Sequence, residues 1–225
     1  MAINPRKRGQ RGNRKRSPPA SKAASRAGSN AGRGFRYQDA VSAWLAVAIW
    51  AEQRAPAIVV PEGGDDIELR GKATSFVQVK SRREHLGDYA EGETVGHIED
   101  LWNRSLGSAP RPQRLELILE REVAGLHPLD DYPAARSIDG PISERLSKFS
   151  GASDLLPRTS IFVATSPQEW AISLIVDRLN CAPIAAQMCF ADLLVRVGAL
   201  ADANGRLAPE NYRGVSISDT ETSIR

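Results

Sequence analysis

Gly63-Gly64-Asp65-Asp66-Ile67-Glu68-Leu69-Arg70 and, one short turn later, Phe76-Val77-Gln78-Val79-Lys80 are the stretches that decide the fold. Their residue pattern predicts two short strands joined by a turn. Because side chains of a strand alternate between its two faces, Gln78 and Lys80 share one face, and Val77 and Val79 share the other. We expect Asp66 to lie alongside them on the neighbouring strand. The polar face then either lines a site or faces solvent.

Asp66, Gln78 and Lys80 together suit phosphodiester hydrolysis. Carboxylate and amide oxygens are ligands that Mg²⁺ prefers, and a bound cation polarises a phosphate and lowers the pKa of a water. A lysine beside them neutralises charge that grows on the phosphate, or orients the attacking water. An ordinary amphipathic hairpin, with Lys80 in solvent and Asp66 in a turn, accounts for the same pattern. The hairpin residues alone leave both interpretations open.

Three local motifs resemble the PD-(D/E)XK (restriction-endonuclease-like) nuclease superfamily. They are Gly34-Phe35-Arg36-Tyr37-Gln38 opening a helix, Glu62-Gly63-Gly64-Asp65-Asp66-Ile67 entering a strand, and Val77-Gln78-Val79-Lys80-Ser81 on the next strand. The branch that the chain resembles most comprises nuclease domains of bacterial antiphage effectors, both CBASS-associated endonucleases and nucleases fused to sensor NTPases. The resemblance covers about residues 34–120 and is weak elsewhere.

This resemblance implies a catalytic set of Asp66, Gln78, Lys80 and Gln38, with Asp66 and Gln78 as metal ligands and Glu62 as an accessory acid. The implied cofactor is Mg²⁺, or Mn²⁺ in its place. The implied substrate is double-stranded DNA, and RNA stays open because the same chemistry cleaves either backbone. Gln78 stands where many superfamily members have glutamate, which removes one negative charge from the metal site. The implied setting is antiphage defence, with activation by homo-oligomerisation and a sensor or NTPase region beyond this chain.

The order of the predicted elements agrees with an α/β restriction-endonuclease-like core, which is a helix, a three-stranded meander, a helix and a strand. Apolar spacing predicts these elements and two additional C-terminal helices. In chain order they are a helix over 36–54, a strand over 57–60, the hairpin, a helix over 94–106, a strand over 114–120, an insertion with one short helix over 123–157, a strand over 160–165, and helices over 168–179 and 184–200. One nuclease domain over 35–200 follows, then a turn-like C-terminal extension over 201–225 that we expect to lead to further protein.

The N-terminal segment 1–34 is strongly basic. It holds ten Lys and Arg residues and no acidic residue, which leaves a net charge of −7 for residues 35–225 because the whole chain carries +3. Ser, Gly, Pro and Arg dominate the segment, so a disordered tail is predicted. Such a tail suits binding of nucleic-acid phosphates by counterion release, and equally a solvated leader. The basic residues assigned to DNA contact are Arg6, Lys7, Arg8, Arg14, Lys15 and Arg16, with Arg82 and Arg83 directly after the second strand of the hairpin.

Composition excludes several classes of protein. No stretch is predicted to span a membrane and the N-terminus lacks the pattern of a signal peptide, so we expect a cytoplasmic protein with no membrane partner. Cys181 and Cys189 lie in an apolar helical stretch, which predicts reduced thiols. The three histidines, His85, His97 and His127, lack metal-ligand spacing and are interpreted as loop or helix-surface residues.

Two functions follow from the sequence. The first is a Mg²⁺-dependent DNA endonuclease, the effector domain of an antiphage system, that hydrolyses phosphodiester bonds with a metal-activated water. The alternative is a non-catalytic DNA-binding or assembly module with a degenerate nuclease fold, in which the basic tail supplies affinity.

Overall fold

The computed structural model describes residues 22–63, 66–108, 112–129, 135–206, 211 and 213–224, with side chains from residue 33 onward. Within these ranges the fold is mixed α/β, with six strands and seven helices. In chain order they are α1 (Lys22–Trp50), β1 (Ala57–Pro61), β2 (Ile67–Gly71), β3 (Ser75–Lys80), α2 (Glu91–Gly107), β4 (Arg114–Leu119), β5 (Ala135–Arg136), α3 (Gly140–Leu146), α4 (Ala152–Leu155), β6 (Thr159–Val163), α5 (Pro167–Leu179), α6 (Pro183–Asn204) and α7 (Ile217–Ile224).

The six strands form one sheet in the order β1-β2-β3-β4-β6-β5. The strands β1, β2 and β3 pair antiparallel as a meander, which confirms the predicted hairpin. The pairs β3–β4 and β4–β6 are parallel, and β5 adds antiparallel to β6. A parallel pair needs a crossover connection, which α2 supplies between β3 and β4. The predicted helix over 94–106 is therefore the element that places β4 beside the hairpin.

Helices cover both faces of this sheet. On one face α1, α5 and α6 pack together, with Val77 and Val79 of β3 in their apolar cluster. On the other face α2 and α3 pack over Phe76 and β4, around the fully buried Trp102. The Trp102 indole N–H donates to Thr159 Oγ1 at 2.8 Å, which satisfies the polar group inside this core. Both faces of β3 are thus buried, and its polar side chains lie beside α2.

The first helix is longer at its N-terminus than the sequence predicted. It begins at Lys22 instead of near Arg36, and it ends at Trp50 instead of near Arg54. The predicted tail boundary at residue 34 therefore falls inside α1. Ala, Ser, Lys and Arg residues of this stretch are compatible with a helix once its C-terminal half is anchored in the core. The basic residues between 6 and 16 lie outside the described residues.

The predicted insertion and C-terminal extension contain more structure than expected. The insertion holds β5, α3 and α4 instead of one short helix. The extension was predicted to be turn-like, but Val215 pairs with Val59 at the free edge of β1, with N–H···O distances of 3.0 and 2.7 Å. The fully buried Asn204 holds this segment, because its amide donates to the carbonyls of Pro61 and Arg213 at 2.7 Å. These contacts join long-range partners that local patterns do not reveal.

Helix α6 is long and apolar enough to cross a membrane by its length and composition, and is the one such helix within the described ranges. Its most apolar 18-residue window has a mean hydropathy of 1.6, whereas no such stretch was predicted from the sequence. In the fold, α6 packs against α1 and α5 and buries Phe190 and Leu193. Its opposite side exposes Met188 and Val195.

Candidate active site

The hairpin brings Asp66 alongside β3, as the sequence predicted. In the antiparallel register, Ile67 lies opposite Val77, so Asp66 comes just before the paired part of β2. The Val79 N–H donates to Asp66 Oδ2 at 2.6 Å. The carboxylate is thereby fixed at the strand between the positions of Gln78 and Lys80.

Gln78 and Lys80 contact each other on the α2 face of β3. Gln78 is fully buried, which is costly for an amide unless both of its ends are hydrogen-bonded. In the amide orientation that satisfies both ends, the nitrogen donates to the His97 carbonyl at 2.8 Å and the oxygen accepts from Lys80 Nζ at 3.3 Å. Because the Gln78 nitrogen is held by the His97 carbonyl of α2, the Gln78 oxygen faces Lys80.

Gln38 reaches the same region from α1. Its Nε2 donates to Glu62 Oε1 at 2.8 Å and to the backbone carbonyl of Asp66 at 2.9 Å. Glu62 has φ of 54°, the left-handed region that favours glycine, and such strain persists where surrounding contacts enforce it. Burial, together with the charge of Asp66, raises the pKa of Glu62, although the hydrogen bond from Gln38 opposes this shift. Gln38 and Glu62, both implied by the family resemblance, therefore meet at Asp66.

Asp39 also belongs to this region, and the sequence analysis did not identify it. Burial raises the pKa of Asp39 from its ordinary 3.8 to about 6, with smaller contributions from Glu62 and Asp202. Its neighbour on α6 is Gly198, where an added Cβ would lie 3.6 Å from Asp39 Oδ2. We call Gln38, Asp39, Glu62 and Asp66 the acidic side. Across the described part of the chain, none of its three carboxylates forms an ion pair.

Beyond Lys80 the strand opens into a cleft of about 330 Å³, which we call the basic cleft. Four basic side chains line it. They are Arg33, Lys80, Arg82 and Arg83. Leu86, Tyr89 and His97 complete much of its wall. A concave surface with this excess of positive charge suits a phosphate-bearing ligand.

Arg82 and Arg33 are held by contacts within the chain. The Arg82 guanidinium donates to both Glu93 carboxylate oxygens at 2.7 Å and lies 4.8 Å from the centroid of the Tyr89 ring. Glu120 accepts from the Arg82 backbone N–H and from Arg33 Nη2, both at 2.6 Å. Arg82, which was predicted to contact DNA, is therefore engaged in organising the exit of β3, whereas Arg83 is exposed at the rim.

His97 lies on α2, in agreement with its interpretation as a loop or helix-surface histidine, and it is half-buried in the basic cleft. Its ring meets the Tyr89 ring edge-on, with centroids 6.0 Å apart. Burial lowers the pKa of His97, and the charge of Lys80 lowers it further, so the imidazole is neutral at neutral pH. His97 precedes Leu101, on the buried face of α2, by four residues. This spacing is the sequence signal that His97 lies at the edge of the core.

The donor set suits a hard divalent cation. Asp66, Glu62 and the Gln78 amide supply oxygen atoms of the type that Mg²⁺ or Mn²⁺ takes. Burial and the charge of Asp66 raise the pKa of Glu62. A cation between the two carboxylates would offset their repulsion. Within the described ranges, no group of three or more His, Cys, Asp or Glu side chains is arranged to hold a metal. Of the residues that the resemblance implies as ligands, Glu62 and Asp66 lie together at Gln38, whereas the Gln78 amide oxygen faces Lys80.

No protein-family model matches this chain, and no curated protein matches its sequence. Solved structures resemble its fold. A Cap4 SAVED/CARF-domain containing receptor of Acinetobacter baumannii with the cyclic trinucleotide 2'3'3'-cAAA has a TM-score of 0.54 at 15% identity, over 85% of this chain and 44% of that chain. The same receptor with 3'3'3'-cAAA gives a TM-score of 0.53, again at 15% identity and with the same shares of both chains.

A Cap4 SAVED/CARF-domain containing receptor of Moraxella osloensis gives a TM-score of 0.51 at 16% identity, over 75% of this chain and 43% of that chain. The matches thus span less than half the length of each receptor. Identities this low establish similarity of fold and leave the chemistry to the residues of the site.

Proposed function

We propose that this chain is a Mg²⁺-dependent DNA endonuclease with a PD-(D/E)XK-like core. The observation that carries the proposal is the position of the Asp66 carboxylate on the Val79 N–H, between Gln78 and Lys80. The element order of a helix, an antiparallel meander, a crossover helix and a parallel strand supports it. Gln38 adds support, because it reaches Glu62 and Asp66 from the helix that precedes the meander.

Each side chain has a role in the proposed hydrolysis. Asp66 and Gln78, with Glu62, would hold the Mg²⁺ ion, which when bound polarises the phosphate and lowers the pKa of a water. Lys80 neutralises the charge that grows on the phosphate in the transition state, or orients the attacking water. Gln38 fixes the Glu62 carboxylate. The buried bond from Gln78 to the His97 carbonyl keeps the amide oxygen turned toward Lys80.

The biological setting we propose is antiphage defence. The fold similarity to Cap4 receptors supports this setting, and two of those structures contain a cyclic trinucleotide. Because the matches span under half of each receptor, we propose that the nuclease acts together with a ligand-sensing region and is activated by homo-oligomerisation. A cytoplasmic location is part of this proposal.

A non-catalytic DNA-binding module is the second candidate. It is favoured by one observation, which is that Gln78 supplies a neutral amide where a carboxylate would bind a cation more strongly. Such a module would bind duplex DNA through its basic residues, with strong dependence on salt and none on Mg²⁺.

Cleavage of supercoiled plasmid separates the two candidates. We expect nicking or linearisation with Mg²⁺, none with EDTA, and at least about 100-fold slower cleavage by Lys80→Ala. Lys72→Ala is the matched control, because Lys72 is exposed in the turn between β2 and β3. A concentration series tests activation by assembly, which predicts a steep dependence.

Wild-type cleavage by a folded Lys80→Ala protein would refute the assignment. Absence of cleavage at every concentration, with salt-sensitive DNA binding retained, would favour the non-catalytic module.

A further inference from the structure

Two large apolar side chains are exposed beside the candidate site. Leu86 is 55% exposed and lines the basic cleft, at the end of the 3₁₀ turn Glu84–Leu86. Phe35 is 58% exposed on α1. Single exposed apolar residues are ordinary on a protein surface. These two differ because each lies next to groups that we assign to phosphate or metal binding.

The position of Phe35 follows from helix geometry. Residues three and four apart share a face, so Phe35 lies one turn before Gln38 and Asp39 of the acidic side. The preceding Gly34 packs toward β3, since an added Cβ there would lie 3.7 Å from Ser81 Oγ. Phe35 thus borders the acidic side, and Leu86 borders the basic cleft.

The size of the cleft limits what enters it. A volume of about 330 Å³ is at the low end of the range for small-ligand pockets, roughly 300–1,000 Å³. This is the scale of one nucleotide. Lys80 and Arg83 supply positive charge for its phosphate, while Leu86 offers an apolar surface. In a closed duplex the base faces are stacked, and they become available to apolar side chains when bases are unstacked or unpaired.

We propose that Leu86 and Phe35 contact unpaired bases, so that the substrate is nucleic acid with unpaired nucleotides at the cleavage position. This inference rests on the proposed function, because it assigns the substrate class of the same site. Charge alone would bind single-stranded and double-stranded backbones without distinguishing base pairing. The two apolar side chains supply that distinction, by stacking on bases or inserting between them.

Equilibrium binding in EDTA tests the proposal without cleavage. The probes are a fluorescently labelled DNA duplex and the same duplex with a central unpaired bubble, compared by fluorescence anisotropy. We expect the bubble to bind about tenfold more tightly, in line with the energy of one stacked base. The double variant Phe35→Ser, Leu86→Ser should abolish this preference, so that bubble and duplex bind with equal affinity. Leu129→Ser, at another exposed leucine, is the control.

Each other outcome has a defined meaning. Equal wild-type affinity for bubble and duplex would overturn the inference, as would equal weakening of both by the double variant. If plasmid is still cleaved with Mg²⁺ in either case, the proposed function stands and only the substrate class fails. If neither probe binds at low salt and plasmid is not cleaved, both proposals fail.

Discussion

The acidic side lies around the start of β2 and the basic cleft lies beyond the end of β3, and the two regions differ in how their charges are balanced. In the cleft, Arg33 pairs with the Glu120 carboxylate and Arg82 pairs with the Glu93 carboxylate. On the acidic side, the carboxylates of Asp39, Glu62 and Asp66 lie near one another, and no ion pair involves them in the described ranges. The basic cleft is therefore held in place by ion pairs, whereas the acidic side retains electrostatic repulsion.

The difference is what the proposed function requires of the two regions. The Asp39 and Glu62 carboxylates are half-buried, and burial together with neighbouring acidic charge raises their pKa values, which costs stability in the free protein that a bound cation would relieve. Paired arginines hold the cleft in shape, while Lys80 remains near the Gln78 oxygen and faces the opening. Under the proposed function, the carboxylates of the acidic side favour a cation, and the basic cleft favours a phosphate.

The largest effect should come from removing the charge of Asp66. We expect Asp66→Asn to reduce Mg²⁺-dependent plasmid cleavage at least about 100-fold, because the acidic side loses a metal ligand. An asparagine oxygen can still accept from the Val79 N–H, so the fold should persist, as circular dichroism would check. Asp88→Asn, at an exposed position, should cleave at the wild-type rate. Full activity of Asp66→Asn would remove the acidic side from the mechanism.

A smaller effect is expected when the pairing in the cleft is broken. Glu120→Ala removes the carboxylate that pairs with Arg33 and accepts from the Arg82 N–H, which should lower the free energy of unfolding by about 2 kcal/mol. Urea denaturation measures this value. Asp192→Ala removes an exposed pair with Arg196 and should cost less than about 1 kcal/mol. Equal losses in the two variants would mean that Glu120 does not organise the cleft.

The smallest effect concerns pH and the repulsion on the acidic side. Because the pKa of Asp39 is raised to about 6 in the folded state, its ionisation opposes folding, and stability falls as pH rises from about 4 to about 6. Asp39→Asn should therefore add on the order of 1 kcal/mol at pH 7 and nothing near pH 3, since partial solvent exposure screens the effect. Urea denaturation in EDTA at both pH values measures it.

The exposed Asp177→Asn variant on α5 is the control for Asp39 and should change stability at neither pH. A gain for Asp39→Asn that is equal at both pH values would contradict an origin in ionisation.

The sequence was informative where local pattern determines structure. Alternation over 76–80 predicted β3 and placed Gln78 with Lys80, and apolar spacing predicted the helix that carries Gln38. These assignments need only the two periods of regular secondary structure and one turn. The same local reasoning predicted the helices over 94–106 and 168–179 to within a few residues.

Local sequence patterns did not predict long-range contacts. Arg33 was read as part of a tail, yet its partners Arg82 and Glu120 are 49 and 87 positions away. Asp39 acquires its raised pKa through burial and through neighbours on other elements, including Asp202 of α6. The ring contact of His97 with Tyr89 likewise depends on how α2 packs over β3. The partners of Arg33 and the raised pKa of Asp39 reflect tertiary packing that no local pattern encodes.

The pairing of Val215 with Val59 has a consequence for solubility. β1 is the last strand at its end of the sheet, and an open edge offers unpaired N–H and C=O groups to any extended chain. Val215 occupies those groups at Val59, and Gly214 permits the close approach, since a Cβ there would lie 2.6 Å from the Val59 carbonyl oxygen. The C-terminal segment therefore protects the edge of β1 against edge-to-edge aggregation. Without it, the backbone groups of Val59 would be open to pairing with a strand of another molecule.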